Sequence, residues 1–94
     1  MLLDDVRTAL RITHNGLDND IKQHIEACYA DMSRVGIVMP PDKDNPPPLY
    51  LAAVKLYVLA QYDYLGKGTE YLKNYEKTRN DMSLCSEYIK VVAE

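Results

Sequence analysis

The sequence predicts an all-α domain: a small bundle of about four helices around a central apolar helix at residues 48–65, with a proline-rich loop at 37–47. Three observations carry that prediction. Residues 48–65 are apolar nearly all round and are fenced by prolines in front and Gly66-Lys67-Gly68 behind. Residues 17–35 repeat apolar side chains every three or four positions, the period of a helix buried along one stripe. Shorter helical patterns flank both, and 94 residues suffice for one small domain, 1–94, with a modest core.

In chain order, residues 3–12 form the first helix, with Leu3, Val6 and Leu10 on one side. Asp4 and Asp5 sit at its positive dipole end and Arg11 at its negative end. Asn15-Gly16 then marks a turn. The second helix begins near Leu17 and reaches Arg34 or Val35, with Leu17, Ile21, Ile25, Cys28, Met32 and Val35 inward. Asn19, Lys22, Gln23, Glu26 and Arg34 face water, Asn15 and Asp18 suit the N-terminal cap, and Gly36 suits the left-handed C-terminal position.

Residues 37–47 contain four prolines and cannot be helical. They form a stiff loop that opens with an extended Ile37-Val38-Met39 and is either a functional loop or a spacer. Pro48 is suited to the first turn of the central helix, where its missing N–H costs nothing. Leu49, Ala53, Leu56 and Ala60 make one stripe, and Leu51, Val54, Val58 and Leu65 lie opposite. A helix with no polar face has to be covered on all sides. Lys55, Gln61 and Asp63 argue against a membrane span. Thr69 to about Ser83 reads as the fourth helix, with Leu72, Tyr75 and Met82 inward. From Leu84 the tail either extends that helix or docks elsewhere.

The formal charge is −3 and no basic run occurs, so the chain lacks the electrostatic footprint of a nucleic-acid binder. Charge weighs against a helix-turn-helix reading through residues 17–35: Lys22 and Arg34 stand against Asp18, Asp20, Glu26 and Asp31. Cys28 and Cys85 make no disulfide framework, and no signal-peptide pattern is expected, which fits a reducing cytoplasm. His24 and Cys28 have ligand spacing on one helix, but no second pair completes a metal site. Gly66-Lys67-Gly68 lacks the rest of a phosphate loop, and the serines lack a nucleophile elbow. We expect no enzyme, metal or cofactor.

Tyrosine occurs eight times, while Trp and Phe are absent. Tyr50, Tyr57, Tyr64 and Tyr71 recur every seven residues, a seam that serves as core, as a strip for a neighbouring copy, or as both. Tyr57, Tyr64 and Tyr71, with the polar face of the second helix, are the subunit-contact residues expected from this pattern.

Taken in order, Ala9-Leu10-Arg11-Ile12, Asp18, Ile25-Glu26-Ala27-Cys28, Asp31, Gly36, Pro48-Leu49, Ala53, Leu56-Tyr57, Tyr75, Met82-Ser83-Leu84 and Tyr88 resemble the head–tail connector, or DNA-packaging, proteins of tailed bacteriophages and prophages. The likeness spans nearly the whole chain and lies in order and spacing; the loop is richer in proline than the family pattern. It implies a structural subunit of the virion, made in the host cytoplasm, that assembles as a homo-oligomeric ring below the portal protein. Such a ring extends the DNA channel and receives a tail or head-completion protein. Double-stranded DNA passes without sequence-specific binding, and no membrane is involved. By the same resemblance the tail at 84–94, with Tyr88, Ile89 and Val92, docks on the portal or a neighbour. The competing class is a small dimeric helical DNA-binding or regulatory interaction module.

Overall fold

The computed structural model describes residues 2–13 and 16–85. Among them stand four α-helices: α1 (Leu2–Ala9), α2 (Asp18–Arg34), α3 (Pro48–Gln61) and α4 (Gly68–Ser83), with a 3-10 turn at Tyr64–Gly66. The all-α bundle is as the sequence predicts.

The helices end where the backbone turns left-handed. At the end of α1, Arg11 adopts φ 59, its N–H bonds to the Thr8 carbonyl and the Ile12 N–H bonds to Arg7, a Schellman closure. That closure stops the helix at Ala9 rather than at Ile12. Gly36 (φ 93) closes α2 as expected, with Ile37 N–H on the Met32 carbonyl. At the other end of α2 the cap position is Leu17, which offers no side-chain hydrogen bond; Asp18 is the first residue of the helix, and Asn15, expected with it at the cap, lies outside the described residues.

The central helix is shorter than its apolar run. α3 stops at Gln61 because Asp63 (φ 48) and Leu65 (φ 54) both turn left-handed. At about 1.5 Å per residue, 14 residues span roughly 21 Å. Residues 62–65 therefore belong to the turn into α4, and Tyr64 is not on the helix that carries Tyr50 and Tyr57. Asp63 accepts the Gly68 N–H on Oδ1 at 2.7 Å, which starts α4. A Cβ on Gly68 would lie 2.6 Å from that same oxygen and 3.1 Å from the Ala60 carbonyl, so the turn closes only around glycine.

The core takes Leu2, Val6 and Leu10 from α1, Ile21, Ile25, Cys28, Tyr29 and Met32 from α2, and Tyr50, Ala53, Val54 and Val58 from α3. Ile37, Tyr75 and Met82 complete it. Leu17 and Leu72, both expected inside, are exposed. α4 packs along α3 more extensively than either α1 or α2 does, so the far side of the central helix is covered within the chain. Coverage is still incomplete: Leu49 and Ala52 are exposed, and Leu51, Leu56, Leu59 and Ala60 are half-buried. Leu49, Ala52, Leu56 and Leu59 fall on one side of the helix, an apolar strip at the molecular surface.

Candidate assembly surface

Tyrosines link the helices through both their hydroxyls and their rings. Tyr75 on α4 is buried and donates to Asp31 on α2 at 2.7 Å. The Asp31 carboxylate also accepts from Arg79 at 2.9 Å and from Arg34 at 2.8 Å. Desolvation pushes the Asp31 carboxyl up, but the hydrogen bonds from Tyr75, Arg34 and Arg79, with the Arg79 charge, outweigh it and hold the group at about 2. Burial, reinforced by Cys28 and Asp31, drives the Tyr75 hydroxyl far above its usual range, so it stays a donor. One carboxylate thus ties α2 to α4.

At the other end, Tyr62 donates to Asp20, and the His24 ring meets the Tyr62 ring edge-on at 5.2 Å. His24 Nε2 stands 3.5 Å from the same Asp20 carboxylate. Burial, then Asp20, raises the Tyr62 hydroxyl to about 12. These two ties make α2 antiparallel to α3 and parallel to α4. A third set fixes the proline loop. Tyr50 donates to the Val38 carbonyl, Tyr29 to the Lys43 carbonyl at 3.1 Å, and the Leu2 N–H to the Asp44 carbonyl at 2.6 Å. Within the loop, Asp42 accepts from the Asp44 N–H and the Asn45 side chain. The loop is a built part of the domain, anchored to α1, α2 and α3.

The seven-residue tyrosine seam divides accordingly. Tyr50 is buried under the loop. Tyr57 is half-buried and meets Tyr75 edge-on, with ring centroids 5.1 Å apart and planes at 68°, and burial raises its hydroxyl. Tyr64 and Tyr71 face each other across the α3–α4 turn at 6.5 Å. They form no continuous stripe, because the left-handed turn at 63–65 removes Tyr64 from the helix. Of the residues expected at subunit contacts, Tyr57 pairs with Tyr75 and Tyr64 with Tyr71, two separate contacts along the α3–α4 hairpin. Tyr88, Ile89 and Val92 lie outside the described residues. The polar face of α2 is exposed from Asn19 through Lys22, Gln23 and Glu26 to Arg34.

Two features were not foreseen. Leu65 is 74% exposed on its left-handed backbone at the tip of the hairpin. A cavity of about 310 Å³ opens between α1, α2 and the loop, with Leu2, Leu3, Ile25 and Tyr29 as apolar lining and Lys22, Glu26, Lys43 and Asp44 as charged rim. His24 and Cys28 do not converge: His24 lies against Tyr62 and Asp20, while the Cys28 thiol is fully buried, 3.9 Å from the Met32 sulfur, and pushed by burial to about 12. No helix among the described residues is long and apolar enough to cross a membrane.

The described surface thus carries an apolar strip on α3, the exposed tip leucine and the cavity at Tyr29. The model of the family described as phage connector protein matches residues 2–88. The chain belongs to that family. No curated protein and no solved structure matches it. Its membership makes the chain a bacteriophage head–tail connector protein with a structural role in the virion. The order of packing positions that suggested the family corresponds to what the fold uses: Cys28 and Ala53 lie in the core, and Asp31 ties α2 to α4. Pro48 opens α3 and Gly36 closes α2.

Proposed function

We propose that this connector acts as a non-enzymatic adaptor that assembles as a homo-oligomeric ring below the portal. The ring extends the DNA channel and presents a platform for a tail or head-completion protein. The observation that carries this reading is the family match over residues 2–88. The apolar strip of α3, Leu49, Ala52, Leu56 and Leu59, supports it, because such a strip on a small domain suits contact with a further protein. The net charge of −3 also fits a channel subunit, since a basic lumen would retain the duplex that has to slide past.

Subunit contacts in this reading use the exposed edges of Tyr57, Tyr64 and Tyr71 with the polar face of α2. The C-terminal residues 84–94, through Tyr88, Ile89 and Val92, dock on the portal or a neighbouring copy. The test is to incubate the chain with the portal of the same phage and image the mixture by electron microscopy. A ring stacked on the portal is the expected result. Portals that remain bare at saturating protein, together with a salt-dependent shift of duplex DNA at physiological ionic strength, would replace the adaptor by a DNA-binding module.

A further inference from the structure

The hairpin tip carries an unfavourable combination. Leucine in the left-handed region is strained, because its Cβ approaches the following carbonyl, and such outliers persist only when their surroundings hold them. Leu65 has that backbone and leaves 74% of its surface in water. The conformation is held by the Asp63 carboxylate on the Gly68 N–H, by Gly66 N–H on the Asp63 carbonyl, and by Lys67 N–H on the Tyr64 carbonyl. The Tyr64 and Tyr71 rings brace the turn from the side. Among the described residues, nothing covers the side chain so presented.

We propose that Leu65 of one copy seats in the cavity between α1, α2 and the proline loop of the next copy, making a head-to-tail contact. This names the subunit interface of the ring and rests on the connector reading. The cavity has the matching chemistry, with an apolar lining from Leu2, Leu3, Ile25 and Tyr29. Its walls are fixed before binding: Tyr29 donates to the Lys43 carbonyl, Lys43 Nζ lies 5.9 Å from the Tyr29 ring, and Leu2 N–H holds Asp44. A preformed knob and a preformed hole pay little ordering entropy on association. Charge is complementary as well. Exposed Lys67 and Glu70 flank the tip, and the rim offers Glu26 and Asp44 to the first and Lys22 and Lys43 to the second. Knob and hole are built from different elements, the α3–α4 turn and the α1–α2–loop cradle. The contact is therefore heterologous, the kind that generates rings when its rotation closes.

The experiment uses two full-length variants in a Cys85→Ser background, one carrying Leu65→Cys and the other Glu26→Cys; Cys28 is fully buried and stays silent. Mixed under a glutathione redox buffer, they should give the heterologous disulfide in several-fold excess over both homologous ones. The statistical 1:2:1 mixture of the three products, or tip-to-tip linkage in excess of it, overturns the proposal. Leu65→Asp gives an independent arm. Aspartate accepts the left-handed backbone more readily than leucine, so the melting temperature should hold or rise while ring assembly on the portal is lost. Rings of Leu65→Asp protein that form on the portal as readily as wild type refute this interface and leave the connector reading intact. Bare portals with every variant refute that reading, and the cross-linking result still decides the interface.

Discussion

Replacing Asp31 by alanine should cost the fold about 3 kcal/mol, and the figure follows from what the carboxylate holds. The Tyr75 hydroxyl belongs to a residue 1% exposed and would lose its acceptor, at about 1–3 kcal/mol for a buried donor left unpaired. The Arg79 pair, with side chains 16% and 23% exposed, contributes about 1 kcal/mol after solvent screening. The Arg34 pair, i to i+3 with the arginine 66% exposed, adds only about 0.3 kcal/mol. Alanine's better helix propensity returns about 0.5 kcal/mol. At roughly 4–8 °C per kcal/mol for a domain of this size, the melting temperature should fall by more than about 10 °C. Asp31→Asn keeps an acceptor and removes the charge, so its loss should be near half of that. The charge has a pH signature. The folded group sits at about 2, below its ordinary 3.8, so its contribution is full above about pH 4 and is lost as pH falls through about 2. That contribution is at most about 2.5 kcal/mol. Urea unfolding of wild type and Asp31→Asn between pH 7 and pH 2 should give curves that converge at the acid end. Parallel curves, or an alanine variant within about 1 kcal/mol of wild type, would refute the network.

Gly68→Ala should destabilise by about 1–3 kcal/mol despite alanine's helix propensity, because its Cβ collides with the capping carboxylate of Asp63 and the Ala60 carbonyl. Urea titration of Gly68→Ala, Asp63→Ala and the double variant should then show strongly sub-additive losses, as both disrupt one turn. Arg11→Gly should stabilise by about 0.5–1 kcal/mol by relieving the left-handed strain at the end of α1, read as a rise in the urea midpoint with unchanged slope; a fall would mean that the arginine side chain matters more than its backbone. Tyr57→Ala should lose about 2–3 kcal/mol of folding stability with its Tyr75 contact, and Tyr64→Ala distinctly less. Equal losses in thermal melts would contradict the division of the seam.

Much of the architecture was legible because helical periodicity is local. The buried stripe Ile21, Ile25, Cys28 and Met32 follows from spacing within one helix, and Gly36 and Pro48 mark their ends by backbone chemistry that neighbours do not alter. The apolar run at 48–65 identified the central helix but not its end. Leu65 carries no left-handed signal in its identity and Asp63 only the weak one of any aspartate, and that conformation is imposed by the cap to Gly68 and the packing of α4 on α3. The same reason hid the end of α1 at Arg11.

The assembly surface was legible in composition and not in detail. Eight tyrosines without Phe or Trp announce that aromatic positions need hydroxyls. Which hydroxyl meets which acceptor is a relation between residues far apart in the chain, such as Tyr75 with Asp31 and Tyr62 with Asp20. The seven-residue spacing of Tyr50, Tyr57, Tyr64 and Tyr71 promised one stripe, and a single turn at residues 63–65 divided it. The sequence by itself determined the class of fold, the helices and the family-wide order of packing positions, because each depends on short-range pattern. Only the tertiary structure decided the sense of the helix pairings, the anchoring of the proline loop, the exposure of Leu65 and the cavity at Tyr29, because each depends on where distant segments meet.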